Sequence, residues 1–293
     1  MKKFLAFIGL LFIMGLVFLV MLESLVIYFA YRDRISTRGD KIGLVRLNGA
    51  IMDAQNIIDV LKTCEKREDI KGIVLRIESP GGSVAAVQEI YEAILAQQKN
   101  GKKIVASLGN VAASGGYYVA IACEKIYANP GTLTGSIGVI INVLNIQDLM
   151  QNWGVELKSI TSGQYKATGS LARKMTPEEE VLLKNLVDNV HSQFIEAVKE
   201  RRKLSEEKLQ NLADGRVLTG SQAYEAGLID GLGSLEITIQ ETARLCGIKG
   251  KPRVIEFKGK RIDSFLDASS SLLQKSFQLI KNPKGFTLNY ILN

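Results

Sequence analysis

Histidine is all but missing from this sequence: His191 stands alone among 293 residues, and cysteine is scarce, with three. Cys64, Cys123 and Cys246 lie far apart, are odd in number and show no metal or redox spacing. They are expected to be buried, inert thiols in a fold that needs no disulfide. One histidine and no cysteine cluster argue against a zinc site, and no metal or other cofactor is expected. A Ser-His-Asp triad would have to use His191, which sits in a helical stretch between Asn189 and Gln193, the setting of an exposed or helix-packed residue. There is no G-x-S-x-G elbow either, because Ala112 occupies the first glycine position before Ser114. The chain is basic, with a formal charge of +7. It nevertheless has no Lys/Arg run with interleaved aromatics, which argues against nucleic acid as the partner. Internal repeats and low-complexity tracts are absent as well.

Long apolar runs are not lacking. Residues 4–22 (FLAFIGLLFIMGLVFLVML) carry no charge, and after Glu23 a second run extends to Tyr31. About 20 apolar residues suffice for a helix to span a bilayer. Secretory hydrophobic regions are shorter and end at a small-residue cleavage site. Residues 1–31 are therefore expected to be a membrane anchor. Lys2 and Lys3 precede the span while Arg32, Arg34, Arg38 and Lys41 follow it, so charge leaves the orientation open.

Residues 32–41 form a polar linker to a main domain over 42–258, and 259–293 form a basic, weakly patterned tail of uncertain role. Within the main domain, IGLVRLNG (42–49), GIVLRIES (72–79) and KIVASLGN (103–110) have strand character, and 84–99 has helical apolar spacing. Strand, helix, strand at this interval predicts an α/β fold of repeated βαβ units with a parallel sheet. KIYANP (125–130) and GSIGVIIN (135–142) are expected to be further strands. The longest helix is predicted over 177–202, with Thr176 as N-cap, Pro177 in the first turn and Glu179 completing a capping box. Leu182, Leu183, Leu186, Val187, Val190, Phe194 and Val198 form one apolar stripe on it, expected to pack on the core. A second helix starts at Ser205.

Without histidine, a serine nucleophile can be activated by lysine. Such a lysine must be neutral, a change of about 4 kcal/mol if the ordinary value of about 10.4 falls to 7–8. Burial away from carboxylates supplies it. Two lysines compete. Ser205 and Lys208 match S-x-x-K by letters, but their charged context makes Ser205 a helix cap. Lys166, in ITSGQYKATGS (160–170), has small polar neighbours and no carboxylate nearby; alone it is a loop lysine. Two loops at the carboxyl ends of predicted strands add weight, the place where parallel sheets gather their chemistry. Ser79-Pro80-Gly81-Gly82 precedes a helix and offers backbone N–H groups to an oxyanion, or is simply a turn that needs glycine. Ser114, in NVAASGGYY (110–118), opens another apolar helix and is followed by the N–H of Gly115.

IESPGGSV (77–84), NVAASGGYYVA (110–120), GTLTGSIGV (131–139), SGQYKATGS (162–170) and ADGRVLTGSQAYEAGLIDGLG (213–233) together resemble the signal peptide peptidase A (protease IV) family, in its short single-repeat bacterial form. The resemblance runs from about residue 42 to 246. It implies a Clp-protease/crotonase-like fold with an N-terminal transmembrane helix, and a serine peptidase with a Ser/Lys dyad that degrades remnant signal peptides and other apolar peptides. By motif it implies Ser114 as nucleophile, Lys166 as general base, Ser136 as the residue orienting the lysine, and Gly82 and Gly115 as oxyanion donors. It further implies an extracytoplasmic catalytic domain and a ring-like homo-oligomer in which neighbouring subunits can complete the dyad. A sibling protease acting on a specific membrane protein, a catalytically silent membrane scaffold and an acyl-CoA-handling relative share the fold. The last two are disfavoured by the presence of Ser114, Lys166 and the anchor.

Overall fold

The computed structural model describes residues 14, 17–25, 39–258 and 289–291. Helix α1 (residues 17–25) is exposed along its length. Among the described residues no helix is long and apolar enough to cross a membrane. The rest of the expected anchor, most of the linker and residues 259–288 of the tail lie outside the described residues.

The centre of the molecule is a twisted sheet whose strands are apolar on both faces. β1 (Lys41–Asn48), β2 (Ile70–Ser79) and β4 (Lys103–Ala113) run parallel side by side, with β9 (Arg253–Phe257) beyond β1. Their near-continuous burial is the signature of a sheet covered by helices on both sides. α2 (Gln55–Glu65) and α3 (Val84–Lys99) cover one side, while α9 (Leu235–Leu245) packs Ile239 and Ala243 against Ile42, Leu44 and Val74 from the other. The segment β2–α3–β4 is the expected βαβ unit, and β4–α4–β5 repeats it, with α4 at Gly115–Ile121 and β5 at Lys125–Ala128. β3 (Gly81–Ser83) is a short strand between β2 and α3.

β4 forks. Its first half, Val105–Leu108, pairs with β5; its second half, Val111–Ala113, pairs with β6 (Leu133–Gly135). At the fork the register with β2 slips: Ile77 faces Leu108, but Ser79 faces Ala112, so three residues of β4 stand against Glu78 alone. The Glu78 carboxylate fills the gap, accepting the N–H groups of Asn110 (2.9 Å) and Val111 (3.1 Å). This is why β4 runs three residues beyond the expected 103–110. β6 pairs antiparallel with β7 (Val217–Thr219), and β5 pairs parallel with β8 (Gly231–Leu232).

Two expectations need correction. The strand expected over 135–142 ends at Gly135, because Ser136 turns to a φ of 51° and breaks the extended run. The apolar stripe of α6 (Pro177–Arg201) packs on the core only through its second half: Val190, Phe194 and Val198 are buried, while Leu182 and Leu186 are exposed. A helix of 25 residues is roughly 37 Å long at 1.5 Å per residue, and its buried apolar residues begin only at Val190. Its first half projects with the segment before it, where α5 (Gln147–Asn152) is flanked by exposed Leu144, Trp153, Val155, Leu157 and Ile160. Together they form an apolar arm. The cap of α6 is as expected: Thr176 and Glu179 make a reciprocal capping box. Ser205 caps α7 (Glu206–Leu212), its hydroxyl accepting the N–H of Lys208, as its charged context implied.

Candidate active site

Backbone strain marks the site. Among the described residues only two that are not glycine have positive φ, Ser114 (53°) and Ser136 (51°). A side chain in that region costs on the order of 1–3 kcal/mol and persists only where the surroundings enforce it. The enforcement is visible. Ala113 of β4 pairs with Gly135 of β6, and each serine is the next residue. The Ser114 N–H donates to Gly135 O at 2.8 Å, and the Ser136 N–H to Arg216 O at 2.8 Å. Beneath them Thr134 Oγ1 donates to Ala112 O and Thr132 Oγ1 to Gly109 O, both at 2.7 Å. The two serines thus stand side by side at the ends of adjacent parallel strands. Ser114 is 1 % exposed, and among the described residues its Oγ has no hydrogen-bonding partner. Buried polar groups are rarely left unpaired, which sets this hydroxyl apart.

α4 begins directly after Ser114, and every residue from Gly115 to Ile121 is buried. The first N–H groups of a helix have no partner within it, so Gly115 offers a free donor beside Ser114. The second candidate donor lies on β3. Ile51 N–H donates to Gly81 O (2.8 Å) and Ser83 N–H to Ile51 O (2.7 Å), which uses one edge of this strand. The N–H of Gly82 therefore faces the opposite edge. Along that edge runs β10 (Asn289–Ile291), antiparallel, with Tyr290 opposite Gly82. Glycine at 82 is dictated by packing, since a Cβ there would lie 2.1 Å from Ile51 O. A Cβ at Gly116 would come within 2.7 Å of Ser79 O, so the start of α4 sits against the β2–β3 turn. Ser114, Ser136, Gly82 and Gly115 are thus gathered at one end of the sheet.

Lys166 is not with them. It lies in a run of overlapping turns on the arm, exposed, and its ammonium group makes no hydrogen bond or ion pair among the described residues. It lines a cleft of about 640 Å³ formed by residues 157–171, which includes neither serine. His191 does not reach Ser114 either. Its Nε2 lies 3.2 Å from Ile137 O, and it shares with Ser136 a pocket of about 420 Å³. The cysteines are unsuited to nucleophilic work. Burial pushes the Cys64 and Cys123 thiols up to about 12 and Cys246 to about 11, and none is in a disulfide. Among the described residues no His/Cys/Asp/Glu group is arranged to hold a metal.

Two residues of the site went unforeseen. Glu78 shapes the fork before Ser114; a charged residue at the carboxyl end of a buried strand was the available signal. Glu179 ties the arm to α6, and only its capping role was legible.

Comparison with known proteins identifies the family. Residues 96–249 match the model of peptidase family S49, and residues 40–135 match that of Clp protease. A Synechocystis chain named as a protease is 43% identical over 217 residues, 73% of this chain and 77% of that one. Protease 4 of Salmonella typhi is 31% identical over 220 residues, 72% of this chain but 35% of the longer relative. The chloroplastic serine protease SPPA of Arabidopsis thaliana is 31% identical over 214 residues, 68% of this chain and 32% of that protein. With a family match over more than half its length, overlapping a Clp protease match at residues 96–135, this chain belongs to peptidase family S49 and is a serine peptidase.

Proposed function

We propose that the chain is a membrane-anchored endopeptidase that cleaves apolar peptides, remnant signal peptides among them, with Ser114 as nucleophile and Lys166 of a neighbouring copy as base. The observation that carries this reading is the pair of strained serines, with Ser114 Oγ buried and, among the described residues, unpartnered. In the reaction, neutral Lys166 Nζ takes the Ser114 proton while Oγ attacks the substrate carbonyl. The N–H groups of Gly82 and Gly115 hold the oxyanion. The C–N bond breaks, the lysine ammonium protonates the leaving amine, and an acyl-serine ester remains. Water, deprotonated by the same lysine, then attacks the ester, releasing the acid and returning Ser114. Ser136 hydrogen-bonds the lysine amine and fixes its direction.

The partner subunit enters because the arm carries both Lys166 and a band of exposed apolar side chains. Insertion against a second copy buries that band and withdraws Lys166 from water, which favours its neutral form. The N-terminal apolar run holds the site at the membrane, with the catalytic domain extracytoplasmic. A scaffold without activity has no use for strain at two serines.

The test is hydrolysis of a fluorogenic signal-peptide-like substrate by detergent-solubilised full-length protein. Ser114→Ala and Lys166→Ala are each expected to fall to background, with wild-type rate rising toward alkaline pH. Co-assembly of the two inactive variants is expected to restore activity, since a K166A chain contributes an intact serine and an S114A chain an intact lysine. Restoration in neither order would place the dyad within one chain. Full activity of K166A would remove the lysine from the mechanism.

A further inference from the structure

The arm that presents Lys166 has little regular structure to give it shape. Lys166 N–H donates to Gly163 O, Thr168 N–H to Tyr165 O and Ser170 N–H to Ala167 O, each at 3.1 Å. These are three-residue turns in series, individually weak. One carboxylate reaches into them from outside. Glu179, in the first turn of α6, is 3 % exposed although it is a charged residue. Its Oε1 accepts the Thr168 hydroxyl (3.2 Å) and the Arg173 guanidinium. Its Oε2 accepts a second Arg173 N–H (2.7 Å) and the Thr176 N–H (3.0 Å). Arg173 also donates to Ala167 O (3.1 Å) and Lys174 O (3.0 Å).

A helix cap accounts for one of these bonds, the one to Thr176. Two of the others tie down the two residues that follow Lys166: Ala167, whose carbonyl accepts from Arg173, and Thr168, whose hydroxyl donates to Glu179. Burying a carboxylate and engaging an arginine fork are costly unless every lone pair is satisfied. Here four bonds from three residues converge on a single group. We propose that Glu179, with Arg173, is a positioning residue for catalysis: it fixes the backbone at Ala167–Thr168 and so the direction in which the Lys166 side chain leaves the arm. The inference rests on the reading of Lys166 as base. It adds that the base is aimed by its own chain before a second copy arrives, not shaped by the encounter.

Glu179→Gln keeps the size of the side chain but turns one acceptor into a donor facing donors. Two measurements test it. Turnover per site, with sites counted by a serine-directed phosphonate, is expected to fall about 10- to 100-fold, with KM changed less than about twofold. A merely structural role would lower the melting temperature and the number of titratable sites but leave turnover per site intact; that result overturns the proposal. The second measurement uses co-assembly. A chain carrying S114A and E179Q, which donates only an arm, is expected to restore K166A poorly. A K166A/E179Q chain, which donates only a serine, is expected to be restored by S114A as well as K166A itself is. Equal loss in both orders would show a diffuse effect and sink the positioning role. Wild-type turnover of K166A would instead sink the underlying reading of the base, a distinguishable outcome.

Discussion

At the residue scale, the chain holds two serines in a backbone region that favours glycine, and this strain costs stability. Replacing Ser114 by glycine or by alanine removes the same hydroxyl, but only glycine relieves the positive φ. The relief is worth on the order of 1–3 kcal/mol, less the 0.5–1 kcal/mol by which glycine disfavours the folded chain. S114G is therefore expected to be more stable than S114A by about 1 kcal/mol, a rise of roughly 2–4 °C in melting temperature for a domain of this size. Both are expected to be inactive. Differential scanning calorimetry of the two checks this, and equal melting would mean that the strain is not carried at Ser114. Gly82 shows the complementary constraint, since Ile51 O leaves no room for any side chain there. Both positions were legible as candidates, because glycine and serine clustered after strand-like runs have few uses. Their strain was not legible, since it arises from the pairing of Ala113 with Gly135, two strands apart in sequence.

Among elements, the start of α6 joins stability to the site. Arg173 beside Glu179 holds its carboxyl down at about 2, and Arg216 does the same for Asp214. A carboxyl depressed in the folded state stabilises the fold above its unfolded value, and that contribution is lost as pH falls toward the folded value. For Glu179 the window runs from about 4.5 down to about 2. Glutamine resembles the protonated acid. The stability gap between wild type and E179Q is therefore expected to be widest near neutral pH and to close as pH approaches 2, measured by urea unfolding at a series of pH values. A constant gap would mean that the loss comes from packing and not from the charge. Elements whose own periodicity fixed them were readable in advance: β1, β2, α3 and the capped start of α6 fall where the pattern placed them. The stripe on α6 was overextended, because periodicity tells which face is apolar but not how far the core reaches along it. The run after Gly135 is apolar and β-branched, yet the turn at Ser136 overrides that propensity.

For the whole molecule, the site depends on which groups complete it and which groups occupy it. The sheet gathers Ser114 with the N–H groups of Gly82 and Gly115, while Lys166, the proposed base, sits on an arm that the same chain does not bring to them. The remaining edge is that of β3, where the N–H of Gly82 points. An extended peptide binding there would add an antiparallel strand, the common way a sheet edge captures a chain. In this structure β10 already lies along that edge, with Tyr290 opposite Gly82. One edge holds one strand, so β10 and substrate exclude each other. A competitor tethered to the same chain reduces apparent affinity by the fraction of time that the edge is free, and each 1.4 kcal/mol of pairing is tenfold. Deleting residues 289–293 is therefore expected to lower KM several-fold at unchanged kcat, with the largest gain at low peptide concentration. Steady-state kinetics of the truncated and full-length proteins side by side make the comparison. If kcat rises while KM stays, β10 impedes the chemistry and not the docking. If neither changes, β10 leaves the edge before substrate arrives, and the strand pairing has no bearing on turnover.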